Sequence, residues 1–345
     1  MMRLAALALA AGLLAGAGAA AAQDAGAPGA VAAAPCDRAC LQSFVTRYIE
    51  ALAARDPSRL PLAPDARFTE NGAAIPLGEG LWFGVSAVGE GYRSDYVDTE
   101  AGQVAAHVDF VENGQAGLMS LRLKVEGGAI AEIETVLNRG ARLAGRMVPA
   151  EPLWDEVEPA ASRLHRAQLA AIAESYLAAV AAGDGSLAPF NAQSCVRLEN
   201  GGVMARAAND DPPQPGPDPA STLPWMRMVI STLGMGCEAQ IDTGIYNFIT
   251  SYNNARFPVI DVERQIVFGQ WNFRRRGDVK GVTYQGEFVP FMESTQFPNE
   301  NLLGQAFKIR DGRITRVQGV FLNSNVYKAG TGWGPGRDGP VAPAR

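Results

Sequence analysis

The chain is poor in the residues on which much catalytic and metal chemistry draws. Of its 345 residues only two are histidines, His107 and His165, and its four cysteines include no Cys-x-x-Cys pair. The ligand spacing of a structural zinc site is therefore missing. No Gly-x-Ser-x-Gly elbow occurs, since Gly84-Val85-Ser86-Ala87-Val88-Gly89 has the wrong spacing, and there is no phosphate-cradling Gly-rich loop ending in Lys-Ser/Thr and no His-Glu-x-x-His. Asp98-x-Glu100 and Asp261-x-Glu263 put paired carboxylates in turns, but no ligand loop follows them, as a calcium site requires. Beyond the leader, no apolar run approaches the length of a membrane helix. A net charge of -6 and a pI near 5.2 lack the clustered positive patch of a nucleic-acid surface. The single tight basic run, Arg274-Arg275-Arg276, reads as a solvated strand end. No metal and no cofactor are expected, and neither a membrane nor a nucleic acid is an expected partner.

What is present points to an exported protein. Residues 1–22 read as a secretory signal, with Arg3, an apolar stretch from Leu4 to Leu14, and Ala20-Ala21-Ala22 before Gln23. Periplasm and full secretion stay open. The Ala/Gly/Pro-rich stretch 23–35 reads as a flexible linker. In such a compartment four cysteines most simply form two disulfides, for which three connectivities exist. Cys36 and Cys40 lie on neighbouring turns of the first helix, within bridging range, and Cys195 and Cys237 are then paired with each other.

The organising feature is a duplication. Phe44 to Gly72 is written again as Ile172 to Gly201, so that Tyr48 recurs as Tyr176, Asp56 as Asp184, and Glu70-Asn71-Gly72 as Glu199-Asn200-Gly201. Each copy opens with an amphipathic helix, the stripe Phe44, Tyr48, Ala51, Leu52 matching Ile172, Tyr176, Ala179, Val180. A short turn and a strand ending in Asn-Gly follow, and that pair favours a tight turn with positive φ. Strand alternation assigns Asn71 and Asn200 to the interior and Glu70 and Glu199 to the outside.

In the first copy, 96–110 reads as a hairpin turning at Glu100-Ala101-Gly102, followed by strands 117–125 and 129–138. Leu121, Leu123 and Val125 alternate there with Ser120, Arg122, Lys124 and Glu126. Residues 259–273 align without a gap onto 96–110, placing Gln270 opposite His107, and Phe307-Lys308-Ile309 matches Leu123-Lys124-Val125. The offset grows from 129 to 163 to 184, so the second copy carries insertions of 34 and 21 residues. The first holds the proline-rich 210–219 loop and Trp225, Met226, Met228 and Met235; the second holds Tyr284, Phe288, Phe291 and Phe297. Such loops serve as lids over a pocket or as contacts between copies or in a homo-oligomer. The expected domains are 36–141 and 160–329, joined by a linker at 142–159 and followed by a disordered Gly/Pro-rich tail at 330–345.

N-terminal helices leading into a curved antiparallel sheet resemble the cone-like α+β fold of the nuclear transport factor 2 superfamily. The resemblance is specific at Arg47-Tyr48-Ile49, Ala54-Arg55-Asp56 and Phe68-Thr69-Glu70-Asn71-Gly72, which are similar to the opening of the ketosteroid isomerases and SnoaL-like enzymes. As a whole the chain resembles exported tandem proteins of this superfamily, which implies the fold and no reaction. In the isomerase pattern a helix tyrosine donates to an oxyanion, a carboxylate shuttles the proton and a strand acid assists. Tyr48 and Tyr176 match the tyrosine, whereas the carboxylate position holds Asn71 and Asn200 and the assisting acid falls at Leu121 and Gln305.

Two functions follow. One is a binding module for a small, largely hydrophobic molecule, with Asn71, Trp82, Tyr176, Asn200, Trp225, Tyr246, Tyr252 and Gln270 as candidate ligand contacts. The other is a cofactor-independent isomerase, hydratase or lyase. There Tyr48 acts as hydrogen-bond donor, and His107 with Asp109, two apart on one strand face, as the acid/base pair. Glu134 is a further candidate base. The enzyme requires that the His107 ring and the Tyr48 hydroxyl open into one cavity.

Overall fold

The computed structural model describes residues 36–139, 151–206 and 223–339. The signal reading at 1–22, the linker at 23–35 and the 210–219 loop lie outside them. Each copy begins with one long helix, α1 (Arg38–Ala53) or α3 (Arg166–Ala182), rather than a helix pair. Asp37 caps α1 by accepting from the Cys40 amide, and α3 stops at Gly183 in the left-handed region, φ 63°. A single 3-10 turn then follows in both copies, capped alike: the Asp56 carboxylate accepts from the Ser58 amide and the Asp184 carboxylate from the Ser186 amide.

The first sheet contains β1 (Leu62–Glu70), β2 (Ala73–Ala74), β3 (Val85–Asp98), β4 (Gln103–Glu112), β5 (Gln115–Glu126) and β6 (Ala129–Arg139), with a four-residue helix α2 (Leu81–Gly84) before β3. Its order is β2-β1-β6-β5-β4-β3. The second copy repeats this with β7 (Val196–Glu199), β8 (Gly202–Arg206), β9 (Ser251–Asp261), β10 (Ile266–Arg275), β13 (Asn299–Arg310) and β14 (Arg313–Asn325), in the order β8-β7-β14-β13-β10-β9. Registers agree as well: Gln103 faces Lys124 and Ile266 faces Lys308, the same pair two copies apart. The sheets are mixed rather than wholly antiparallel, because β1 runs parallel to β6 and β7 parallel to β14. The insertions add α4 (Pro224–Thr232) and α5 (Cys237–Asp242) before β9, and a two-stranded ribbon, β11 (Gly281–Tyr284) and β12 (Glu287–Pro290), before β13. Both insertions pack on their own copy, where Trp225 meets Phe291 edge-on at 5.2 Å and the Ser231 and Tyr284 hydroxyls are 3.0 Å apart.

The Asn-Gly turns have the expected left-handed backbone, φ 52° and 81° at Asn71-Gly72 and 46° and 85° at Asn200-Gly201. Both disulfides form, Cys36–Cys40 and Cys195–Cys237. They fit an oxidising environment. Among the described residues no helix is long and apolar enough to cross a membrane.

Each sheet packs one face on its own helix and turns the other toward the second copy, so both faces are dry. In the first copy Val104, Ala106, Val108, Leu121 and Leu123 lie under α1, whereas Tyr96 and Ala105 join Trp154, Val259, Phe268 and Ala306 in a separate cluster between the copies. The ends are tied reciprocally: Arg38 of α1 binds Asp261 at 2.7 Å, and Arg166 of α3 binds Asp98 at 2.7 Å. Equivalent residues thus contact each other's copy, the arrangement of an isologous pair. Arginines neutralise the paired turn carboxylates in place of a cation.

Two segments differ from their expected character. Within the linker, Trp154 is buried in the inter-copy cluster and the Glu158 amide donates to the Glu263 carbonyl. The tail through Gly339 is docked: Trp333 donates to Thr69 of the first copy and stacks on Arg122, while Arg337 pairs with Ala255 of the second in a β-bridge. Indole and guanidinium contacts outweigh the entropy that its glycines bring.

Candidate functional site

The site builds up from β7, whose alternation sends Arg197 and Glu199 toward α3, and from β10 and β13, which send Phe273, Arg275, Asn301, Leu303 and Gln305 to the same side. With Tyr176 of α3, Trp225, Met226 and Val229 of α4, and Ile245, Tyr246, Phe248 and Ile249 after α5, they line a half-open cavity of about 270 Å³. That lies near the lower end of small-molecule sites, roughly 300 Å³. The walls are mainly aliphatic and aromatic, and both insertions contribute to them. The Cys195–Cys237 disulfide fastens the start of β7 to α5, whose Gln240 binds Arg197 at 2.7 Å.

The polar groups are few and deeply placed. Arg197 is fully buried, hydrogen-bonds to the Tyr246 hydroxyl and lies over that ring, 4.5 Å from its centre. Glu199 is 3.4 Å from it. Arg275 is 4% exposed; it donates to Asn299 at 3.2 Å and lies 4.9 Å from the centre of the Phe248 ring. Burial lowers the Arg275 pKa to about 10 although Glu199 opposes the shift, so the group stays cationic at neutral pH. Burial likewise raises the Tyr176 and Tyr246 hydroxyls, which stay neutral donors.

The first copy fills the corresponding space. Phe68 stands where the second copy has Arg197, and Trp82 of α2 meets the Tyr48 ring edge-on at 5.7 Å. Leu121 stands at the position of Gln305, and all four are buried. Glu112 and Arg139, at the positions of Arg275 and Asn323, bind each other, and Arg139 also binds Glu70 at 2.8 Å.

Of the sequence candidates, Tyr176, Trp225 and Tyr246 come together at the cavity. The others do not. Trp82 is core packing. Asn71 and Asn200 accept from the Leu137 and Phe321 amides across the strand edge, because their left-handed backbone ends the strand alternation one residue early. The glutamates before them consequently face the helix side: Glu70 accepts from the Leu81 amide and Glu199 lines the cavity. Tyr252 is buried outside the cavity, its hydroxyl 3.4 Å from Glu174.

His107 and Tyr48 lie on opposite faces of the first sheet. His107, fully buried between the copies, makes 3.2 Å contacts with the Gly304 carbonyl and the Tyr96 hydroxyl. Burial lowers its pKa to about 3, against the Gly304 carbonyl, which favours the charged ring. An imidazole held neutral and dry cannot exchange protons with a substrate near neutrality. Asp109 shares that face but accepts from the Gly91 amide at 3.0 Å in the β3 bulge. Gln270, the counterpart of His107, has its amide against Glu134 in the amide orientation that satisfies both groups. Glu134 is itself gripped by Arg122 at 2.9 Å and Arg256 at 2.7 Å, which rules it out as a base. Burial also raises the Tyr48 hydroxyl, with Glu70 adding to the effect.

Sequence reasoning missed Arg197, Glu199, Arg275 and Gln305 as site residues. For Arg197 and Gln305 the signal was available in the duplication, as polar residues at positions where the first copy has Phe68 and Leu121; for Arg275 it was a charge reversed from Glu112, and Glu199, which repeats Glu70, carried none. The basic run likewise is not a solvated strand end: Arg274 pairs with the buried Glu300 at 2.6 Å, and Arg275 turns inward.

The chain matches the family described as a domain of unknown function (DUF8021) over residues 35–137 and 162–321, well over half its length, and it belongs to that family. The matched regions take in both copies. No curated protein matches the chain.

Proposed function

We propose that the chain is an exported tandem protein of the nuclear transport factor 2-like, SnoaL-like fold whose second copy holds a small, largely hydrophobic molecule in its cone without transforming it. The observation that carries this reading is the half-open cavity of about 270 Å³ walled by Trp225, Tyr246, Phe248 and Leu303. Apolar walls with a few polar groups are the usual make-up of small-molecule sites. Two things speak against catalysis by the expected residues: the separation of Tyr48 from His107, and the engagement of Glu134 by two arginines.

The test is titration with the neutral fluorophore N-phenyl-1-naphthylamine. Saturable fluorescence enhancement is expected at one equivalent per chain, and Leu303→Trp, which fills the cavity, should abolish it. No uptake, or undiminished uptake by Leu303→Trp, would remove the binding reading.

A further inference from the structure

The duplication separates what the second copy needs in order to fold from what it has added. Both copies fold on the same topology, so a residue present in the hollow copy and replaced in the solid one is not demanded by the architecture. Four such replacements converge on the cavity: Phe68 to Arg197, Glu112 to Arg275, Gly117 to Asn301 and Leu121 to Gln305. All four replacements are buried, and each leaves polar atoms without a hydrogen bond among the described residues: Nε and Nη1 of Arg197, Nε of Arg275, Oδ1 of Asn301 and Oε1 of Gln305. Buried donors and acceptors are rarely left unpaired in a protein, and each one costs stability. A ligand with acceptor oxygens would recover that cost at the two arginines, whereas the two amide oxygens need a donor.

The charges say which kind of ligand. Two arginines and one glutamate line the cavity, a surplus of one positive charge. In the first copy the corresponding charges are paired within the chain and the surplus is negative, because the single Arg139 binds both Glu70 and Glu112. In the second, Asn323 takes the place of Arg139, and among the described residues Arg275 has only the neutral Asn299 as a side-chain hydrogen-bond partner. A planar guanidinium with free N–H groups, buried at the wall of an apolar pocket, matches a carboxylate in shape and charge.

Resting on the binding reading above, we infer that the ligand is an amphipathic monoanion, a carboxylic acid on a compact apolar body, with Arg275 as the residue that selects the acid. The apolar body lies against Trp225, Phe248 and Leu303, and the carboxylate accepts from the Arg275 guanidinium with Arg197 behind it.

The experiment uses matched acid and alcohol pairs of two body shapes, decanoate with decan-1-ol and 3-(indol-3-yl)propionate with 3-(indol-3-yl)propan-1-ol, competing against N-phenyl-1-naphthylamine. In the wild type, for at least one body, the acid is expected to displace the probe at least tenfold more tightly than its alcohol, the range of a charge-assisted hydrogen bond. In Arg275→Met and Arg275→Gln that preference should fall to within about twofold while alcohol and probe binding persist, which also shows that the variants are folded. Equal affinities of acid and alcohol in the wild type, or a preference that survives both substitutions, would overturn the inference and leave the binding reading standing. Failure of the wild type to bind probe, acids and alcohols alike would overturn both.

Discussion

The two copies share topology, register and turn chemistry, yet one is solid and the other hollow. The difference marks where the second copy departs from the shared architecture. Between β2 and β3 the first copy has only a short connection, and its α2 drops Trp82 against Tyr48. At the corresponding place the second copy has α4, α5 and the turn carrying Tyr246 and Phe248, which stand off from Tyr176 and leave a void. Solid packing gives the first copy the character of a support, and its other face carries the charged half of the joint between the copies.

That joint offers the largest test of the comparison. Glu134 holds Arg122 and Arg256 in a dry interface, while its counterpart Gln318 bonds the neutral Tyr92 hydroxyl. Glu134→Ala takes the carboxylate from the half-buried Arg256 and leaves the buried Arg122 with Glu132, two charge-assisted bonds lost, and should cost about 3 kcal/mol. Gln318→Ala loses one neutral bond and should cost about 1 kcal/mol. Urea unfolding of the two variants measures the ratio, and equal losses would mean that the joint is not polarised in this way.

The disulfides come next. Cys195 and Cys237 are separated by 42 residues and Cys36 and Cys40 by 4. Loop-closure entropy makes the first worth about 4 kcal/mol and the second about 2 kcal/mol. Replacing each pair by serine and comparing urea midpoints checks the order, and only loss of Cys195–Cys237 should also weaken probe uptake, since it fastens α5 to β7.

Packing gives a sharper contrast on a smaller scale. Met119 and Leu303 occupy the same position in the two copies, the one in a filled core and the other at the cavity. Met119→Trp should destabilise by about 1–3 kcal/mol through overpacking and leave probe uptake intact. Leu303→Trp should cost less and abolish uptake. Thermal melts with and without probe distinguish the two.

The last contrast concerns pH, and its effect is gradual, spread over several pH units. His107 titrates at about 3 when folded and near 6.5 when free, so between these values the unfolded chain binds more protons. Its contribution to stability is therefore present above pH 6.5 and is lost as pH falls toward 3, at up to about 1.4 kcal/mol per pH unit. His107→Gln, which installs the residue of the second copy, should flatten this part of the stability profile relative to wild type. An unchanged slope would mean that the ring is not held neutral.

The sequence made the repeat, the hairpins, both insertions and both disulfides readable, because each depends on local pattern or on offsets. Faces were harder. Alternation correctly puts His107 and Asp109 on one side of β4, but it cannot say which side meets the helix when both faces are dry. At Glu70-Asn71-Gly72 the asparagine belongs to the turn rather than the strand, so alternation counted from it assigns the glutamate to the wrong face. Arg275 sits at a strand end beside two other arginines, a context that normally means solvent, and only the insertion folding over it makes the position interior. Trp333 and Trp154 lie in glycine- and proline-rich stretches whose composition hides the docking of a single aromatic ring.

The most direct measurement of the contrast between a solid and a hollow copy is a crystal soaked with 6-bromo-2-naphthol, read from the anomalous signal of bromine. One peak per chain is predicted, among Trp225, Tyr246 and Leu303. A peak among Tyr48, Phe68 and Trp82, or no peak in either copy at saturating probe, would contradict it.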